Sequence, residues 1–132
     1  MIQIPFRPEF KDALLEGRKT MTARTKKYGN RGDQFEAFEV PFVILNVVER
    51  TLKEVADKFY KEEGVESPEA YKAKWAEIHP IKGFDPQQIV YLHSFIRRRF
   101  LLQDNYWPGN NDLIERAIAE KWSPEEIKRH GG

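Results

Sequence analysis

This chain of 132 residues contains no cysteine. Disulfide staples, thiolate zinc sites and a cysteine nucleophile are therefore excluded. No apolar run approaches the ~18 residues that a membrane-spanning helix needs. The opening stretch MIQIPFRPEF has no apolar segment after a basic start, so no signal peptide is expected. A cytoplasmic location without a membrane partner is the expectation that follows. Net charge is nearly absent as well: 22 Lys/Arg against 21 Asp/Glu leave +1, too little to attract a polyanion globally. The G-x-G-x-x-G, Walker, H-E-x-x-H and G-x-S-x-G patterns are missing. His79, His93 and His130 are not at metal-ligand spacing. Neither a metal nor a cofactor is expected.

What is present suffices for a folded domain. Hydrophobic residues make up 40% and aromatics 13%, enough for a real core, while 33% charged residues imply an ionic surface. The charge is unevenly distributed. Residues 1–35 carry a net +4, residues 36–80 a net −4, and residues 81–132 a net +1. The basic first third could face an anionic ligand; scattered solvated charge is the plainer account.

The hydrophobic pattern predicts a strand over MIQIPF and a helix over RPEFKDALLEG, with Pro8 in its first turn and Gly17 at its end. KTMTAR reads as a strand, and YGNRGD as a turn-rich loop. DQFEAFEV reads as another strand with a bulge or bend, because Phe35 and Phe38 do not share a parity. The β-branched run PFVILNVVER predicts a long strand. Thr51 opens a capping box, and the helix behind it is expected to close at Gly64. Ser67-Pro68 caps a second helix to about Ile78. QQIVYLHSFIRRR is the last strand, with Ile89, Tyr91, His93 and Phe95 on one face. Two further helices are expected beyond Arg99. The predicted order is β-α-β-β-β-α-α-β plus a helical extension. It suggests an α+β fold, a small mixed or antiparallel barrel with peripheral helices.

Most chemically capable residues have plain explanations. His93 reads as a satisfied structural histidine, and Trp75 as part of a helix's apolar stripe. Trp107 and Trp122 could stack on a base, and Arg97 to Arg99 could meet phosphate or simply end a strand. The stretch GRKTMTAR is different. Alternate strand residues share a face, which puts Thr20, Thr22 and Arg24 together and Met21 and Ala23 opposite. Lys19 sits in the turn before them. Arg18 and Arg24, with partial burial, would disfavour its charged form. Such a lysine can serve as base toward a hydroxyl, here Thr22, as in Ser–Lys hydrolases. On spacing alone, a polar water-facing strand is the plainer reading.

LLEGRKTMTAR, followed by Gly32-Asp33 opening a strand, resembles the signature of the ASCH domain, a family of the PUA-like superfamily of small pseudo-barrels. KEEGVESPEAY and VYLHSF resemble that family's acidic element and closing strand. The resemblance covers roughly residues 3–97. It implies an ASCH/PUA-like domain over residues 1–99 and an added helical extension over residues 100–132. It also implies a modified nucleoside or RNA as partner. Some members deacetylate 4-acetylcytidine with a Lys, a Thr and a Glu. The match carries those roles to Lys19, Thr22 and Glu63, with Glu62 as the neighbouring choice. Arg24, Thr20 and Arg18 are then expected to bind substrate. Other members are regarded as RNA-binding modules, for which Lys26, Lys27 and Arg31 would supply phosphate contacts. A third alternative, a metal-dependent ribonuclease, would draw on Asp33, Glu62 and Glu63.

Overall fold

The computed structural model describes residues 2–98. A 3-10 turn, Pro8–Phe10, runs into α1, Lys11–Leu15. β1 spans Met21–Arg24, β2 Gln34–Ala37 and β3 Val40–Thr51. α2, Leu52–Lys58, and α3, Pro68–Ile78, precede β4, Ile89–Arg97. The four strands form one antiparallel sheet in the order β1-β4-β3-β2, curled into a half-barrel. This is the expected α+β PUA-like architecture.

Local chemistry explains most element ends. Gly17 ends α1 at φ 79°, a backbone conformation that costs glycine least. The Thr51 hydroxyl accepts from Glu54 N and the Ser67 hydroxyl from Ala70 N, each capping its helix. Pro68 occupies the first turn of α3, where a missing N–H goes unnoticed.

Several expectations change. MIQIPF is not a strand: it makes a single parallel bridge, Ile2 to Phe35. Pro5 has no N–H to give a ladder, and the segment instead tucks Ile4 into the core at 2% exposure. The stretch 33–40 is not one bent strand. Phe38 and Glu39, at φ 52° and 67°, form the two-residue turn of a β2–β3 hairpin, and this reversal is what broke the parity of the phenylalanines. The bulge lies further on, between Ile44 and Asn46 in β3. Nor does Gly64 close α2, which stops at Lys58. Gly64, at φ 85°, completes a later turn in which its N–H reaches Lys61 O.

Two apolar clusters fill the interior. On one face of the sheet, Phe35, Phe42 and Phe95 pack with Ile4, Leu14 and Ile44. The rings of Phe35 and Phe42 stack at 5.2 Å, and Phe95 meets both edge-on. On the other face, Ala23, Val90 and Leu92 pack under α2 and α3 through Leu52, Val55, Ala56, Tyr71 and Trp75. His93, wholly buried, accepts from Tyr28 N at Nε2, and its Nδ1 lies 3.0 Å from Tyr91 O. It is a satisfied structural histidine, as expected. The expected C-terminal helices, with Arg99, Trp107, Trp122 and His130, lie outside the described residues. Among the described residues, no helix is long and apolar enough to cross a membrane.

Candidate active site

β1 is an edge strand, and the site is built on that edge. One side of β1 is hydrogen-bonded to β4; the other side must find partners elsewhere. The turn after α2 supplies them. Thr20 N and Met21 N both donate to Glu62 O, and Ala23 N donates to the Glu63 carboxylate at 3.0 Å. Backbone pairing thus delivers Glu63 to the strand that carries Thr22.

Lys19 arrives from the opposite direction. α1 ends at Gly17, and Arg18 N and Lys19 N then both donate to Ala13 O, which turns the chain sharply. Lys19 Nζ donates to Glu63 Oε1 at 2.9 Å and to Glu63 O at 2.8 Å. A Cβ on Gly64 would lie 3.1 Å from Lys19 Cβ in a backbone conformation that side chains resist. Glycine there lets the two segments close. Lys19 and Glu63 are each 4% exposed. Burial pushes the Lys19 ammonium below the ordinary lysine value; Glu63 opposes that shift and Arg24 adds to it. Arg18 plays no part in it, contrary to expectation.

Thr22, 3% exposed, accepts from Arg24 Nε through its hydroxyl at 2.9 Å. Arg24 also donates to Pro5 O and lies over the ring of Phe6, its Cζ 4.9 Å from the centroid. Burial lowers its affinity for the proton, yet a guanidinium remains charged in any protein. Tyr71, from α3, donates to Glu63 Oε2 at 2.7 Å. Burial, and then the negative charge of Glu63, push its phenol far above the ordinary tyrosine value, so it remains a donor.

These groups line a cavity of about 190 Å³. Its walls are Phe6 and Phe10 from the N-terminal segment, Tyr28 from the loop, Tyr71 and Trp75 from α3, and His79 just past the end of α3. Trp75 is both core, as expected, and cavity wall, and it stacks on His79 at 4.3 Å. At the mouth, Lys74 pairs with Glu9 and Arg7 with Glu77, tying the N-terminal segment to α3. Chemically, the cavity offers a hydroxyl, an amine–carboxylate pair and a guanidinium within aromatic walls. It suits a flat, mostly neutral ligand.

Of the residues expected in the site, Lys19, Thr22, Arg24 and Glu63 line this cavity together. The others do not. Arg18 is exposed and paired with Glu16 at 2.7 Å. Thr20 precedes β1 and is held by its backbone. Glu62 contributes its carbonyl rather than its carboxylate to the site's frame. Lys26, Lys27 and Arg31 are exposed outside it, although Lys26 Nζ lies 4.8 Å from the Tyr28 ring at its rim. Asp33 accepts from Asn30 N within its own loop. Among the described residues, no three His, Asp or Glu side chains could hold a metal ion together. Tyr71, Phe6, Phe10 and Tyr28 were not anticipated. Tyr71 lies four residues before Trp75 on α3, a spacing that reads as an apolar stripe, and its local sequence carries no other signal.

No protein-family model matches the chain. No curated protein matches it either. Among solved structures, the crystal structure of an ASCH domain from Lactobacillus crispatus JV V101 is similar, with a TM-score of 0.52 and 16% identity. The similarity covers 72% of this chain and 77% of that one. The chain therefore has the ASCH-domain fold.

Proposed function

We propose that the protein is an amidohydrolase of the ASCH type that removes the acyl group from an N-acylated nucleoside such as 4-acetylcytidine. The observation that carries this reading is the convergence of Lys19, Thr22 and Glu63 on one aromatic-walled cavity. In the resting site Lys19 and Glu63 face each other as ammonium and carboxylate. Moving one proton from Nζ to the carboxylate turns two buried charges into two neutral groups, a change that burial favours. The neutral amine can then take the Thr22 proton while Oγ1 attacks the acyl carbon. Arg24, already against Oγ1, is placed to meet the negative charge that develops on the acyl oxygen. As the C–N bond breaks, the departing exocyclic amine takes the proton from the Glu63 carboxyl. Water then hydrolyses the acyl-Thr22 ester, releasing the carboxylic acid and restoring the hydroxyl. The Thr22 hydroxyl is held by Arg24 rather than by Lys19 in the resting cavity, so substrate must draw the amine and hydroxyl together.

The test is turnover of 4-acetylcytidine by the full chain without added metal. Lys19→Ala, Thr22→Ala and Glu63→Ala should each abolish it. Absence of turnover across a panel of N-acylated nucleosides would remove the reading.

A second reading has one observation in its favour. The exposed cations Lys26, Lys27 and Arg31 leave the cavity rim along one loop, where they could follow the backbone of single-stranded RNA. It predicts RNA binding that weakens as salt rises and whose salt slope falls when Lys26 and Lys27 are replaced by Ala. Affinity indifferent to salt would exclude it.

A further inference from the structure

Tyr71 has no step in the scheme above, yet its phenol makes the shortest hydrogen bond to the site carboxylate. The OH donates to Glu63 Oε2 at 2.7 Å, and Ala23 N donates to the same oxygen at 3.0 Å. Lys19 Nζ takes the other oxygen, Oε1, at 2.9 Å. The three donors come from α3, β1 and the turn after α1. The last torsion of a glutamate is soft, and one donor alone leaves the carboxylate plane poorly defined. Two donors on Oε2 fix that plane and leave Oε1 directed at the amine.

We propose that Tyr71 is a positioning residue that orients the Glu63 carboxylate toward Lys19. This rests on the amidohydrolase reading and deepens it. The phenol keeps its hydrogen because burial and Glu63 both oppose its ionisation. Other titratable and charged groups face Glu63: Lys19 from the turn, Arg24 on β1 and His93 on β4. His79, just past the end of α3, shares the cavity.

The experiment compares the wild-type full chain with Tyr71→Phe. With 4-acetylcytidine, kcat should fall about tenfold while KM changes less than about twofold. The 13C line of the Glu63 carboxyl, which needs no substrate, should broaden in the variant as the carboxylate plane loosens. An unchanged carboxyl line would overturn the proposal. If wild type turns over no acylated nucleoside, the hydrolase reading fails and the carboxyl line alone decides the role of Tyr71. If Tyr71→Phe does not fold, 3-fluorotyrosine at position 71 replaces it. This residue keeps the donor, so the carboxyl line should stay as sharp as in wild type, and broadening would overturn the proposal.

Discussion

The two edges of the sheet solve one problem with opposite chemistry. At the β2 edge, the unpaired backbone meets other backbone: Ile2 N donates to Gln34 O. The side chain beneath is Phe35, fully buried among other phenylalanines. At the β1 edge, the unpaired N–H of Ala23 meets a carboxylate, and the charges of Lys19 and Glu63 are buried beside it. The first arrangement stabilises by removing apolar surface from water. The second takes two ions out of water, and their attraction only roughly offsets the cost. An edge that served stability alone would resemble the first. The lesson is that the β1 edge gives up apolar burial for a buried, hydrogen-bonded charge pair, which is what the proposed chemistry would need.

The comparison breaks most sharply with a matched pair of truncations. Phe35→Ala should destabilise the protein by about 3–5 kcal/mol through lost burial and a residual cavity. Glu63→Ala should cost a similar ~3–5 kcal/mol, because it strands a buried ammonium. Chemical denaturation measures both, and their activities should diverge: Phe35→Ala retains turnover per folded molecule and Glu63→Ala loses it. Equal loss of turnover in the two would erase the distinction between the edges.

A smaller effect sharpens it. The double variant Lys19→Met/Glu63→Leu removes both ions together. Apolar replacement of a buried pair is often neutral or stabilising by about 1–4 kcal/mol. Here Tyr71 and Ala23 N lose their acceptor, which offsets that gain, so stability should return close to wild type with no activity. A double variant as unstable as Glu63→Ala would mean that the pair does hold the edge together.

The smallest effect is in pH. Burial holds His93 below the ordinary histidine value of 6.5. Below that pH the unfolded chain takes up a proton that the folded chain refuses, so stability falls as pH drops, by at most about 1.4 kcal/mol per pH unit for one proton. Denaturation midpoints between pH 7 and 5 (about the histidine range) should fall less steeply in His93→Gln than in wild type. Parallel curves would show that burial does not hold His93 neutral.

Legibility followed distance along the chain. Gly17, Thr51 and Ser67 act on neighbours a few residues away, and their roles were readable from local patterns. So was the placement of Thr22 and Arg24 on one face of a strand, because strand parity is a local property. The Phe38-Glu39 turn was not readable, since neither residue is a usual turn former and the pairing of β2 with β3 imposes the geometry. Arg18 and Thr20 looked like site residues by proximity to Lys19. The turn after Gly17 sends Arg18 to solvent, and the backbone bond to Glu62 O fixes Thr20 ahead of the strand.

By itself, then, the order of residues determined most of the elements, the polar face of β1 and a lysine in the turn before it. These follow from steric preference and hydrophobic period, which act within a few residues. Only the tertiary structure decided that the ammonium of Lys19 meets Glu63, 44 residues away, that Glu63 rather than Glu62 lines the cavity, and that Tyr71 closes the group. Those contacts exist because β1 is left at an edge whose backbone needs partners, and strand order is a global outcome of packing that no local pattern carries.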